Sequence, residues 1–199
     1  MKRISILFLL CLGILGTAVA QREETVFGRS GLRLSGAWGG SSLQLSAFDG
    51  DYALLSGGHG GLEFNKSIFL GWGGYNLVDE VRFADLPTQN LDFSFNGPIL
   101  GVSLKPHRII HPRVSLMAGS GEARFRGEPG RDRLFVIQPS GGVAVNVFRW
   151  FHLAVEVGYR FVDGTELSGL EDRDLSAAFG QLRFQFGWSW GGNRVDIDF

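Results

Sequence analysis

The sequence predicts an all-β chain: an eight-stranded antiparallel up-and-down β-barrel of the transmembrane type. Three observations predict it. The first twenty residues have the order of an export signal: Lys2 and Arg3, an apolar run from Ile4 to Leu15, then Thr17-Ala18-Val19-Ala20, a small-x-small cleavage pattern. Beyond them no run of about 18 apolar residues could cross a bilayer as a helix. Instead, segment after segment alternates apolar and polar residues and is rich in glycine and aromatics, the pattern of a wall that crosses a membrane with strands.

Cleavage between Ala20 and Gln21 divides the chain into a signal peptide (1–20), a lead-in (21–31), the barrel (32–190) and a C-terminal tail (191–199). The chain carries 19 Lys and Arg against 20 Asp and Glu. The signal holds two of the basic residues and no acidic one, so the exported part has a formal charge of −3 and gives no reason to expect nucleic acid as a partner. The single cysteine, Cys11, lies inside the apolar run of the signal. A lipid-acceptor cysteine follows a small residue; here Leu10 precedes it and the apolar run continues past it, so lipidation is not expected. Without Cys11 no thiol is left for a disulfide, a thiolate metal site or a Cys nucleophile. Glycine, 30 of 199 residues, is about twice its usual share. It lacks the collagen period, and in a small barrel it relieves crowding and permits tight coiling.

Eight strand-like segments follow in order. The first, Leu32 to Phe48, bends at Gly39-Gly40 and alternates Leu43, Leu45 and Ala47 with Gln44 and Ser46. Asp49-Gly50-Asp51 turns into the second, Tyr52 to Phe64. Asn65-Lys66 is a two-residue turn into the third, Ser67 to Asn76, with Ile68, Leu70 and Trp72 on one face. A long polar connection, Val78 to Asn90, leads to the fourth, Leu91 to Leu104. Its apolar face switches near Gly97-Pro98, which predicts a bulge. The turn Lys105-Pro106-His107-Arg108 precedes the fifth, Ile110 to Phe125, and the charged loop Arg126 to Arg133 the sixth, Leu134 to Val147. A short turn around Phe148-Arg149-Trp150 leads to the seventh, Phe151 to Val162. A second long polar loop, Asp163 to Asp174, leads to the eighth, Leu175 to Trp190. Connections after strands two, four and six are short, and three of the other four are long and charged. Outer-membrane barrels have this asymmetry of short inner turns and longer outer loops.

The last strand separates its faces most clearly. Ala178, Leu182, Phe184, Phe186, Trp188 and Trp190 share one, and Gln181, Arg183, Gln185 and Ser189 the other. The seventh repeats it, with Phe151, Leu153, Val155, Val157, Tyr159 and Phe161 against His152, Glu156 and Arg160. Alternation alone does not say which face points inward. Size does: an eight-stranded barrel has an interior only wide enough for side chains, and bulky aromatics from every strand would overfill it, whereas lipid gives them room. Aromatics also gather toward the strand ends, as girdles do. Trp150, Phe151, Trp188 and Trp190 lie toward the short-turn end, and Phe48, Tyr52, Trp72, Phe93, Phe135 and Phe161 toward the other. Trp72, Trp150, Trp188 and Trp190 are the expected girdle tryptophans. A water-soluble lipocalin-like barrel or sandwich, with the faces reversed, is the rival fold.

The stretches Gly57-Gly58-His59-Gly60-Gly61, Phe69-Leu70-Gly71-Trp72-Gly73-Gly74-Tyr75 and Phe135-Val136-Ile137-Gln138-Pro139-Ser140-Gly141-Gly142-Val143 carry a resemblance. So does Val157-Gly158-Tyr159-Arg160-Phe161-Val162-Asp163-Gly164, followed by Gly169-Leu170 and Asp174-Leu175-Ser176. Together they resemble a functionally uncharacterised family of small exported outer-membrane β-barrel proteins from Bacteroidota and related bacteria, over about Gly36 to Trp188. The resemblance implies a fold and a compartment, and no activity. Barrel-assembly signals end in an aromatic on the final strand; here Trp188, Trp190 and the terminal Phe199, which alternates with Val195 and Ile197, are the candidates.

Candidate chemistry is sparse. The expected inner face holds Glu63, Arg113, Gln138, Glu156, Arg160, Gln181, Arg183 and Gln185, with Glu156 and Arg183 placed for a cross-strand ion pair. The plain reading is a narrow lumen filled by charges that must find partners once buried; the functional one is a gate or narrow pore. His59 sits among glycines, yet no Lys-Ser/Thr and no helix follows, so a phosphate loop is excluded. His107 and His111 have a spacing that binds metal on a helix, but Pro106 and Pro112 flank a turn here. A hydrolase would need a nucleophile, a His and an orienting acid together; no histidine lies in the long loops, and His152 is at the short-turn end. The third outer loop gathers Arg124, Arg126, Arg131 and Arg133, and the last gathers Asp163, Glu166, Glu171, Asp172, Arg173 and Asp174. These are ordinary solvated loop charges, or a guanidinium cluster for lipopolysaccharide phosphates. The expectation is a barrel of the Gram-negative outer membrane with a structural or interaction role. It has no catalytic site, metal or cofactor, and its partners are outer-membrane lipid, lipopolysaccharide and the barrel-assembly machinery. A narrow channel and a soluble binder of an apolar ligand are the alternatives.

Overall fold

The computed structural model describes residues 31–48, 51–79, 81–83, 86–125, 130–165 and 171–190, with backbone alone at 48, 51 and 81–89. The expected signal with its cleavage pair Ala20 and Gln21, the tail 191–199 and Arg126 lie outside the described residues. The chain divides into two units, Met1–Arg33 and Leu34–Phe199. Of the first only 31–33 is described, without regular structure.

The second unit is a sheet of nine antiparallel strands: β1 (Leu34–Phe48), β2 (Asp51–Phe64), β3 (Ile68–Leu77), β4 (Val81–Phe83), β5 (Leu86–Ser103), β6 (Ile110–Phe125), β7 (Asp132–Phe148), β8 (Phe151–Asp163) and β9 (Ala177–Ser189). A four-residue helix, α1 (Asp172–Leu175), precedes β9. Eight strands form a closed ring. β9 pairs with β1 from Gly36 opposite Ser189 to Ser46 opposite Phe179, and β3 pairs directly with β5 from Ile68 opposite Val102 to Asn76 opposite Ser94. β4 is supernumerary, paired to β5 alone among the strands. The result is the eight-stranded up-and-down barrel that the alternating pattern predicts. Closure leaves the ring no free edge.

Three details differ from the sequence reading. The connection 78–90 contains β4 and the start of β5, so β5 begins at Leu86 rather than Leu91. The expected bulge at Gly97-Pro98 is absent: Asn96 opposite Ser120 and Ile99 opposite Met117 keep one register across it. Leu175 belongs to α1 and not to the last strand.

Asn65 and Lys66 both take positive φ, 50° and 60°, the geometry of the tight turns that match strand twist in hairpins. Glycine supplies close approach in the wall. A Cβ at Gly40 would collide with the Phe184 carbonyl of β9, and one at Gly142 with the Val155 carbonyl of β8.

The apolar face points outward through most of the wall. Leu43, Leu45, Val155, Val157, Leu182, Phe186 and Trp188 are exposed, while Gln44, Glu156, Arg160, Gln181, Arg183 and Gln185 are buried. The interior is not polar throughout, as the sequence reading had it. Its long-loop half is packed with Leu55, Leu91, Phe93, Phe95, Phe125, Leu134, Val136, Val162 and Leu175. Phe93, expected in the outer girdle, is part of this packing.

Candidate functional site

The polar half of the lumen is organised around Glu156, which β8 points inward among residues from β6, β7 and β9. Its Oε2 accepts hydrogen bonds from Gln181 Nε2 at 2.6 Å, Ser140 Oγ at 2.8 Å, Ser115 Oγ at 3.2 Å and Arg183 Nη2 at 3.5 Å. Its Oε1 faces Arg113 Nε at 3.5 Å. Arg113 Nη1 also donates to Gln185 Oε1 at 2.6 Å. Gln138 Nε2 donates to Gln44 Oε1 at 3.1 Å, and Tyr75 Oη to Gln181 Oε1 at 2.9 Å. One buried carboxylate therefore serves two buried guanidinium groups, and charge-assisted hydrogen bonds close the network across the barrel.

The structure thus joins five of the eight residues expected in the lumen, Arg113, Glu156, Gln181, Arg183 and Gln185, in one network; Gln138 is buried in the same lumen and bonds Gln44 instead. Glu63 lies apart, half-buried near the short-turn end, where its Oε1 accepts from Ser35 Oγ at 3.0 Å and Ser189 Oγ at 2.7 Å. Arg160 also lies apart, in the apolar half. It is fully buried, its Nε donates to the Leu175 carbonyl at 2.9 Å, and its guanidinium sits over the rings of Phe93 and Phe95, 5.2 and 6.0 Å from their centroids. A desolvated cation over aromatic faces gains ~2 kcal/mol, and the hydrogen bond ties α1 to the wall.

Sequence reasoning missed Ser115, Ser140 and Tyr75 as members of the network, and Gln44 as the partner of Gln138. Their alternation was available, but neutral residues on one strand give no sign of which partner on another strand they reach. It also missed Trp38, which points inward and stacks on His152 at 4.1 Å between centroids. His59 faces the lumen beside Ser42, with 3.5 Å between Nδ1 and Oγ. Among the described residues no group of three His, Cys, Asp or Glu side chains could hold a metal ion. His107 and His111 lie in and just after the β5–β6 turn.

The four tryptophans expected in the girdles, Trp72, Trp150, Trp188 and Trp190, are all exposed on the outer wall. Trp150 stacks with Phe148 and Phe186 and meets Phe151 at a tilt, in an aromatic cluster beside the β7–β8 turn. Trp72 is four residues past the start of β3, in the body of that strand. In the outer-loop basic group, Arg124 pairs with Asp92 at 3.2 Å and Arg131 with Glu122 at 3.3 Å. Arg133 is exposed on β7 opposite Glu122.

A closed eight-stranded barrel with lipid-like residues outside and a charged network inside has the build of a small outer-membrane barrel. The structure of Neisserial surface protein A (NspA) matches it with a TM-score of 0.58 at 9% identity, covering 78% of this chain and 96% of that one. The structure of Ail, the attachment invasion locus protein of Yersinia pestis, gives 0.48 at 16% identity over 79% and 100% of the two chains. Ail in complex with the heparin analogue sucrose octasulfate gives 0.47 at 16% over 78% and 97%. At this identity the likeness to NspA is one of fold. No protein-family model and no curated protein matches the chain.

Proposed function

We propose that this chain is a non-catalytic β-barrel of the Gram-negative outer membrane, exported with a signal cleaved between Ala20 and Gln21 and inserted by the barrel-assembly machinery. Its role is structural or interactive in the envelope. The observation that carries the proposal is the inversion of faces: Leu, Val, Phe and Trp side chains outside, Glu156 with Arg113 and Arg183 inside. Lipid rewards that arrangement and water penalises it, which disfavours the soluble-binder alternative. The aromatic packing in the long-loop half of the lumen favours a closed barrel over a channel. Arg124, Arg131 and Arg133 supply guanidinium groups near the long-loop rim suited to lipopolysaccharide phosphates.

Heat-modifiable gel mobility of the protein from fractionated membranes tests this. A fast-migrating unboiled band in the outer-membrane fraction is expected. A soluble, heat-insensitive protein would refute the proposal. Planar-bilayer recording is expected to show no steady conductance; an open pore that responds to Glu156→Gln or Arg183→Gln would replace the structural reading with the channel.

A further inference from the structure

Three of the four short connections lie at one end of the barrel: 65–67 between β2 and β3, 104–109 between β5 and β6, and 149–150 between β7 and β8. They contain Lys66, Lys105, Arg108 and Arg149 and no Asp or Glu. Lys105, Arg108 and Arg149 are exposed and Lys66 is half-buried. The carboxylate nearest these turns in sequence, Glu63, is engaged by the hydroxyls of Ser35 and Ser189. The segments flanking the barrel, 21–33 and 191–199, do not change this balance: Arg22, Arg29, Arg33 and Arg194 equal Glu23, Glu24, Asp196 and Asp198 in number. The opposite end carries both signs with acids in excess, from Asp79 and Asp92 through Asp163 to Glu171, Asp172 and Asp174. The exported chain is acidic as a whole, yet the three turns at this end carry cations alone.

The backbone adds a second, independent observation. Lys66 and Lys105 sit at φ of 60° and 53°, the left-handed region where a residue with a Cβ is uncommon and glycine costs nothing. In a chain with 30 glycines, two positions made for glycine hold lysine. The turns are also firmly built. Asn146 Nδ2 donates to the carbonyls of Pro106 and Arg108, each at 2.9 Å, Lys66 N donates to Ser35 Oγ at 2.7 Å, and Gly187 N donates to the Trp150 carbonyl at 3.0 Å. Beside Arg149 lies the aromatic cluster of Phe148, Trp150, Phe151 and Phe186, of the kind that settles at headgroup level.

We infer that the short-turn end is a docking surface for the phosphate groups of anionic phospholipid in the leaflet that it faces. This rests on the membrane reading above. Cations held just beyond an interfacial aromatic belt meet headgroups at the distance where a basic residue gains about 1 kcal/mol from an anionic surface. The overall acidic charge predicts the opposite, repulsion from anionic lipid, so the sign of the effect is diagnostic.

The test uses the barrel refolded in phosphatidylcholine bilayers, with trace phosphatidylglycerol or phosphatidylcholine carrying brominated acyl chains as quencher. Trp150, Trp188 and Trp190 report the short-turn end. Brominated phosphatidylglycerol is expected to quench as though enriched about fivefold, the equivalent of one engaged cation. The preference should vanish at 1 M salt, where the screening length is about 3 Å. It should also vanish in K66G/K105G/R108Q/R149Q, whose two glycines relieve backbone strain and so keep the fold. Equal quenching by the two lipids would overturn the inference, as would a preference that survives in the variant. Turn-dependent sedimentation with peptidoglycan and no lipid preference would overturn it in favour of another polyanion. Failure to insert into any bilayer would instead refute the membrane reading.

Discussion

Glu156→Gln is the sharpest perturbation of the lumen. The substitution keeps size and one acceptor but removes the carboxylate charge that faces Arg113 at 3.5 Å and Arg183 at 3.5 Å. All three side chains are almost wholly buried, so water does not take over the pairing. Removing one partner of a buried ion pair costs about 3–5 kcal/mol, because the charge left behind keeps its desolvation penalty. Two cations are left behind here, but Gln185 still accepts from Arg113 at 2.6 Å, which sets the expectation at the lower end, about 3 kcal/mol. Urea unfolding in bilayers, followed by loss of the fast-migrating unboiled band, measures it. Removing one surplus cation as well, in E156Q/R183Q, should recover stability, with a coupling energy of about 1 kcal/mol or more. A single-variant loss below about 1 kcal/mol, or additive effects in the double variant, would refute the view that Glu156 holds the lumen together.

Two further contrasts test the faces and the packing. Arg183→Leu leaves Glu156 paired with Arg113 and hydrogen-bonded to Ser115, Ser140 and Gln181, so its cost should fall below that of Phe184→Arg, which places a cation on the lipid side at about 2–4 kcal/mol; the reverse order in urea unfolding would mean that the faces are inverted. Gly40→Ala should cost about 1–3 kcal/mol through overpacking at the β1–β9 seam. Gly180→Ala, whose added Cβ would meet nothing within 4 Å, should be neutral by the same assay.

Much of this architecture was legible because a strand writes its environment with period two. On β8 and β9 the alternation assigned the large and polar residues from Phe151 to Phe161 and from Gln181 to Trp190 to one face or the other, and the size of the aromatics said which pointed outward. Strand number and the short-turn end followed from turn chemistry at Asn65-Lys66, Lys105 to Arg108 and Arg149. What stayed hidden depends on which strands meet across the lumen. Tyr75 and Gln181 are 106 residues apart and Gln44 and Gln138 are 94 apart, and nothing local marks either pair. The same holds for Arg160, whose partners come from β5 and from the loop that ends in α1. β4 escaped notice because three residues are too few to show a period.

The apparent bulge in β5 has a different cause, and on the membrane reading proposed above it marks where the membrane would end. Leu91, Phe93, Phe95 and Ile99 point inward while Leu100 and Val102 point outward, in one unbroken register. The face of the strand does not switch; the chemistry of its two faces does. β5, β6 and β7 run 18, 16 and 17 residues, whereas about 9–11 tilted residues cross a bilayer. The surplus lies at the long-loop end, where Asp92, Arg124, Glu122 and Arg131 pair on the outer wall. There the barrel is built like a soluble one, apolar within and charged without. Nearer the short turns the chemistry of both faces inverts, as it would where lipid replaces water. Asn96 and Leu100 bracket the changeover, about 13 Å apart along the strand. Asn96→Arg should therefore cost no more than about 1 kcal/mol, as a cation does at the interface, and Leu100→Arg should approach the 2–4 kcal/mol of a site deeper in the bilayer. Equal costs in urea unfolding, or the reverse order, would mean that β5 is embedded along its whole length and that the aromatic packing of the upper lumen needs another explanation.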